Sequence, residues 1–214
     1  MFKYGCMALV AIACCAAVPA AQAQGNFFVA GQAGQAKIDD NALDEDTADT
    51  SALSAGYRWQ AGPIAQVGVE VGGGKVDEVG QTYSYNPGFG YSERGYVGMD
   101  SRYAHVGANA RISFGEGSRW FAIGRLGYMG YTQNVNAEFA AFDGNTQIDS
   151  VSSSSDEDGG GAYFGAGLGM DVTPNFNINL MINGYAYAGL DEEGYLDEEY
   201  GTANTTTLGL ELRF

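Results

Sequence analysis

Few side chains in this sequence are equipped for chemistry, and their types limit what it could be. One histidine is present, His105, within Tyr103-Ala104-His105-Val106-Gly107. No His-x-Ser arrangement surrounds it, so a nucleophilic triad would have to assemble across distant segments. A buried polar histidine is the simpler reading. All three cysteines, Cys6, Cys14 and Cys15, fall within the first 23 residues. One histidine and no later thiol leave no zinc site, and no cofactor is expected. Gly72-Gly73-Gly74 and Gly159-Gly160-Gly161 are not phosphate loops, because no helix is expected after either. What remains is carboxylate and guanidinium chemistry, in two contrasting settings.

The first setting is a set of isolated charges on alternating segments: Arg58, Glu70, Arg111, Arg125, Glu211 and Arg213. Each shares its parity with polar or small residues and faces away from an apolar parity. Spaced that way, they suit mutual ion pairing in an enclosed space. The second setting is acidic clusters in four polar stretches, which hold most of the 26 Asp and Glu residues. Asp156 and Asp158, Asp191, Glu192 and Glu193, and Asp197, Glu198 and Glu199 offer hard oxygen ligands that suit weak Ca²⁺ or Mg²⁺ binding. No EF-hand spacing is present. Solvation and protection from aggregation are the plainer role of such charge. The net charge of −16 excludes a nucleic-acid binder, which needs a basic stripe.

The elements that must position these residues follow from period-two alternation. The last ten residues read T-T-T-L-G-L-E-L-R-F, with Leu208, Leu210, Leu212 and Phe214 on one parity and Gly209, Glu211 and Arg213 on the other. Seven more alternating segments precede them, at about 26–38, 52–60, 64–75, 101–114, 119–132, 160–172 and 176–189. Tight turns are expected at Ala61-Gly62-Pro63, at Gly115 to Ser118 and at Thr173-Pro174-Asn175. Long loops are expected at about 39–51, 76–100, 133–159 and 190–203, the first polar and the second rich in Tyr and Gly. The connections thus alternate long and short, the rhythm of an up-and-down barrel.

A soluble barrel would turn its apolar parity inward. Here the inward parity carries the charges, an inversion that only lipid stabilises. Six aromatics, Phe27, Trp59, Phe114, Trp120, Phe176 and Phe214, lie on the outward parity near the short turns. They match a girdle at the head-group level. After the amino terminus no run of about 18 apolar residues occurs, so no spanning helix is expected. Lys3, the apolar stretch Met7 to Val18 and Ala21-Gln22-Ala23 give residues 1–23 the form of a cleavable signal peptide. Residues 24–214 then form one domain, an all-β, eight-stranded antiparallel transmembrane β-barrel. Polar interiors of this width are filled by side chains, with Glu70, Arg111 and Arg125 expected near mid-height and Arg58 and Glu211 lower.

From Gln24 to Phe214 the chain resembles the small outer-membrane barrels of Gram-negative bacteria, and most the OmpA-type transmembrane domain. S-A-G-Y-R-W-Q-A-G-P-I-A-Q-V-G-V-E-V-G is similar to that family's G-Y-turn-V-G-x-E pattern, Asp171-Val172-Thr173-Pro174 to its third periplasmic turn, and L-G-L-E-L-R-F to its carboxy-terminal assembly signal. The resemblance implies that Glu70 is the inward glutamate, that Arg111 and Arg125 are inward basic residues, and that the barrel-assembly machinery reads the last strand. It departs at Asn179, where the family commonly has an arginine. No residue follows Phe214, so a peptidoglycan-binding domain and a cell-wall tether are not expected. The reading is a monomeric, non-enzymatic outer-membrane protein with a salt-bridged interior and long acidic extracellular loops. It would serve envelope integrity or surface interaction, in contact with lipid and lipopolysaccharide. A narrow passive pore is the alternative, and a lipid A-modifying enzyme stands third.

Overall fold

A computed structural model describes residues 25–38, 47–190 and 196–214. They form eight antiparallel strands: β1 (Gly25–Ile38), β2 (Thr47–Gln60), β3 (Ala65–Gly88), β4 (Tyr91–Ser113), β5 (Trp120–Asp143), β6 (Thr146–Thr173), β7 (Phe176–Leu190) and β8 (Leu196–Arg213). Each strand pairs with its sequence neighbours, and β1 closes on β8 from Phe28 opposite Arg213 to Ile38 opposite Ala203. Closure removes the sheet edges that would otherwise leave backbone groups without partners. The segment 1–23, with its three cysteines, and the acidic stretch 39–46 lie outside the described residues, and with the first of them the expected signal peptide.

The alternation on β8 shows which way the wall faces. Leu208, Leu210 and Leu212 are 50–69 % exposed, whereas Thr207, Glu211 and Arg213 are buried. The same holds around the ring, with Leu53, Val69, Val106, Leu126, Leu168 and Leu180 all outward. Trp59, Phe114, Trp120 and Phe214 are exposed on this outer wall, and Phe27 and Phe176 are half-buried there. The rings of Phe27 and Phe214 lie 6.1 Å apart across the β1–β8 seam. This level is set by the short turns. Phe114 N–H donates to Trp120 C=O (3.0 Å) across the β4–β5 turn, in which Gly115 and Gly117 have φ of 125° and 74°. Only a residue without Cβ takes that backbone readily.

At the opposite end two expected loops are instead strand, and the described parts of the other two, 47–51 and 196–203, belong to β2 and β8. The stretches 76–100 and 133–159 continue β3 into β4 and β5 into β6 as two long β-ribbons, and β4 stays paired with β5 out to Tyr91 opposite Asp143, so the two ribbons join side by side as one four-stranded extension of the wall. β5 has 24 residues and β6 has 28, where about 9–11 suffice to cross the hydrocarbon layer. The ribbons therefore project well past the membrane. Gly88, Phe89 and Gly90, with φ of 91°, 58° and 86°, turn the first ribbon, and Gly144 (φ 61°) turns the second. The polar sequence hides these strands because a ribbon wetted on both sides has no apolar face to alternate. A register shift between Val76 and Val79 then brings Val79 inside, where it packs with Ala48, Val76 and Met99.

Candidate functional site

Among the described residues, the barrel interior gathers charged groups away from water, and it does so in tiers. Arg58, on β2, is 1 % exposed, and its guanidinium meets Glu211 of β8 in a fork, Nη1 to Oε1 at 2.8 Å and Nη2 to Oε2 at 2.9 Å. Its Nε donates to Asn109 Oδ1 at 2.6 Å, and the plane stacks 3.9 Å from the centroid of the Phe28 ring. Glu211 also accepts from Asn177 Nδ2 at 2.9 Å. A planar guanidinium with donors spent on a carboxylate and an amide, and a face on an aromatic ring, is well matched to burial.

Asn109 links this tier to the next by donating to Glu70 Oε2 (3.1 Å). Glu70 Oε1 accepts from the Tyr163 hydroxyl at 2.9 Å and lies 3.8 Å from both Arg125 Nη1 and His105 Nε2. Arg125 donates through Nε to Asn183 Oδ1 (2.9 Å) and through Nη2 to Gln32 Oε1 (3.1 Å). Asn183 in turn donates to Thr205 Oγ1 at 3.0 Å. His105 is buried against the Tyr163 ring at 4.9 Å, and its Nε2 makes no hydrogen bond.

Arg111 sits lower than expected. Its Nη2 donates to Asp171 Oδ2 at 2.6 Å, next to the short β6–β7 turn, and Arg213 Nη2 donates to Asp171 Oδ1. Arg111 also stacks on Phe121, 4.0 Å from its ring centroid. Four interior arginines thus face three interior carboxylates, Glu70, Glu211 and Asp171. Asp171 reads in sequence as part of the Asp-Val-Thr-Pro turn. The signal that marks it is parity, since it follows Met170 on the outer wall and is directly opposite Asn177, itself buried. Tyr163, Gln32, Phe28 and Phe121 are further participants that alternation places inside without revealing their partners. Asn179, where the resemblance implies an arginine, donates to Asn177 Oδ1 at 3.1 Å.

The packing depends on glycine where large side chains lie flat against the wall. A Cβ on Gly169 would come within 2.3 Å of the Phe121 ring.

Of the metal candidates, only Asp156 and Asp158 have described side chains. Asp156 and Asp158 lie on one face of the second ribbon, and Asp158 accepts from Thr132 Oγ1 at 2.7 Å. Among the described residues no three acidic, histidine or cysteine side chains gather in a group able to hold an ion. Asp191, Glu192 and Glu193 lie outside the described residues, as do the side chains of Asp197, Glu198 and Glu199.

The family model of the outer membrane protein beta-barrel domain matches residues 6–214. The chain belongs to that family. This outer-membrane β-barrel is similar in fold to Ail, the attachment invasion locus protein of Yersinia pestis, at 19 % identity and TM-score 0.48, over 90 % of this chain and 99 % of that one. It is also similar to Neisserial surface protein A (17 % identity, TM-score 0.45, 88 % and 97 % covered). OprG from Pseudomonas aeruginosa is another such barrel (10 % identity, TM-score 0.39, 90 % and 96 % covered). No curated protein matches the sequence. The family sets the location, the outer membrane, and with it the solvent of the apolar wall.

Proposed function

We propose that this outer-membrane barrel is a closed, non-enzymatic membrane anchor whose interior is a paired polar plug and whose working surface is its two acidic ribbons. The observation that carries the reading is the continuous set of contacts from Glu211 through Arg58, Asn109, Glu70 and Arg125 to Asn183 and Thr205. It crosses the lumen and spends the donors that a passing ion would need. Breaking such a buried pair costs several kcal/mol, so thermal opening is rare.

The ribbons supply the contrast. Asp77, Glu78, Glu93 and Asp100 lie on the first, and Glu138, Asp143, Asp149, Asp156, Glu157 and Asp158 on the second. A paired sheet carrying that charge presents an acidic surface to cationic partners and repels polyanions. Roles in envelope integrity or surface interaction, as a monomer assembled through its carboxy-terminal strand among lipopolysaccharide molecules, fit this design. His105 Nε2 makes no hydrogen bond and stands 3.8 Å from Glu70 Oε1, which supports the non-enzymatic reading.

Planar-bilayer recording of refolded protein tests it. Wild type is expected to give no unitary steps, and Glu70→Ala is expected to admit small ions by removing the carboxylate at the centre of the plug. Regular steps in wild type would contradict the closed interior and favour a narrow pore.

A further inference from the structure

Beyond the membrane the wall is a four-stranded sheet, β3 to β6, and its two outer edges differ. The β2–β3 pairing ends at Thr50 opposite Val76, so β3 forms one edge from Asp77 onward. That edge is blunted. Its ladder to β4 shifts register between Val76 and Val79 and again between Tyr85 and Gly88, and Pro87 lacks a donor. The β6–β7 pairing ends at Gly159 opposite Gly189, which leaves 146–158 of β6 with β5 as its one neighbouring strand among the described residues. Residues 191–195 start and end at the paired Leu190 and Leu196, so that segment is too short to follow an edge of about 40 Å.

This second edge carries none of the usual guards. From Asp149 to Asp158 it pairs with β5 without a register shift, and from Thr146 to Asp158 it holds no Pro, Gly, Lys or Arg. Natural sheets blunt long edges with such residues or with bulges. Every residue of the stretch is exposed, so pairing with β5 alone holds the strand, and its outer N–H and C=O groups face water. A further strand would complete the ladder. Ser150, Ser152 and Ser154 share one face with Asp156 and Asp158, and Val151, Ser153 and Ser155 share the other with Asp149 and Glu157. A second copy in the same membrane presents its own β6 running the same way, and pairing in register would set each carboxylate beside its counterpart. Charge therefore selects a cationic neighbour.

We propose that the free edge of β6 is a docking site for an extended basic segment of another protein, which joins the sheet as a fifth strand. Lys or Arg side chains of that segment pair with Asp156, Glu157 and Asp158 at the end nearest the membrane. Thr or Val side chains lie beside the serine run, where no bulk obstructs them. The proposal rests on the ribbons being the working surface and names the chemistry of their partner.

Full-length barrel in lipid nanodiscs is titrated, at about 0.15 M salt, with the peptide Arg-Lys-Arg-Thr-Val-Thr-Val-Thr. Run antiparallel to β6, its basic end lies opposite 156–158. Amide hydrogen exchange read by NMR should slow saturably at every second residue of 150–158, where N–H groups point away from β5, and not along 77–86 of β3. The same peptide methylated at every nitrogen of its Thr-Val run keeps the charge but loses the donors, and should bind at least about ten-fold more weakly. Ser152→Lys/Ser154→Lys places two cations on the exposed edge and should abolish binding. Ser84→Lys/Asn86→Lys adds the same charge to the exposed β3 edge and should leave binding unchanged. No alternating protection, equal binding of the methylated peptide, or equal weakening by the two double variants would overturn strand addition. Binding of both peptides would still leave an acidic working surface, whereas binding of neither would count against that surface as well.

Discussion

Replacing either member of the Arg58–Glu211 pair separates the stability of the interior from that of the wall. In Glu211→Leu the Arg58 guanidinium stays almost completely buried and keeps only Asn109 and the Phe28 ring. Stripping one partner from a buried pair costs about 3–5 kcal/mol. Arg58→Met leaves Glu211 with Asn177 alone among those partners, and a similar loss is expected. The double variant Arg58→Met/Glu211→Leu removes both charges and replaces them with apolar volume, which by itself is close to neutral. It still strands the Asn109 carbonyl and the Asn177 amide, at about 1–3 kcal/mol each. The double variant should therefore lose about 2–6 kcal/mol, well short of the roughly 6–10 kcal/mol that simple addition of the single losses would give. With a urea slope of about 2 kcal/mol/M, each single variant lowers the midpoint by about 2 M. Reversible urea unfolding from lipid vesicles measures this, because Trp59 and Trp120 both lie on the outer wall and report on contact with lipid. Single losses below about 1 kcal/mol, or strict additivity in the double variant, would refute a desolvated pair.

Two further perturbations probe the wall and the packing behind it. Leu210→Lys puts a charge in the middle of the outward leucine row of β8 and should cost about 2–4 kcal/mol in vesicle unfolding. A loss under about 0.5 kcal/mol would mean that this face meets water. Gly169→Ala should cost about 1–3 kcal/mol by crowding the Phe121 ring and the Ile178 carbonyl, and in the Phe121→Leu background the same glycine change should cost less. An equal cost in both backgrounds would show that something other than the ring sets the requirement for glycine.

Side-chain alternation made the ring legible. Period two in L-G-L-E-L-R-F, and in Val67, Val69 and Val71 against Glu70, places the apolar side outward once the opposite parity is seen to hold the arginines. Alternation fails where both faces are wet, so 76–100 and 133–159 read as loops although they are paired strand. It also identifies which residues enter the lumen without saying at what height they meet. Arg111 lies beside Asp171 and Arg213 rather than Glu70, because partner choice depends on the stagger between distant strands. Asp171 was concealed by its turn motif. The meeting of Tyr103 with Tyr185 and of Tyr131 with Tyr187 was invisible for a related reason, since the rings come from β4, β5 and β7, and the register that brings them together is not written in any one of them.

The central claim is the orientation of the wall, and labels placed along β8 test it most directly. The chain from Gln24 onward has no cysteine, so single spin-labelled cysteines can be introduced at each position from 207 to 212 of the refolded barrel in lipid. Collision with oxygen dissolved in the bilayer should be high at 208, 210 and 212 and low at 207, 209 and 211. Equal accessibility along the strand, or the opposite alternation, would contradict a barrel with leucine toward lipid and its charges enclosed.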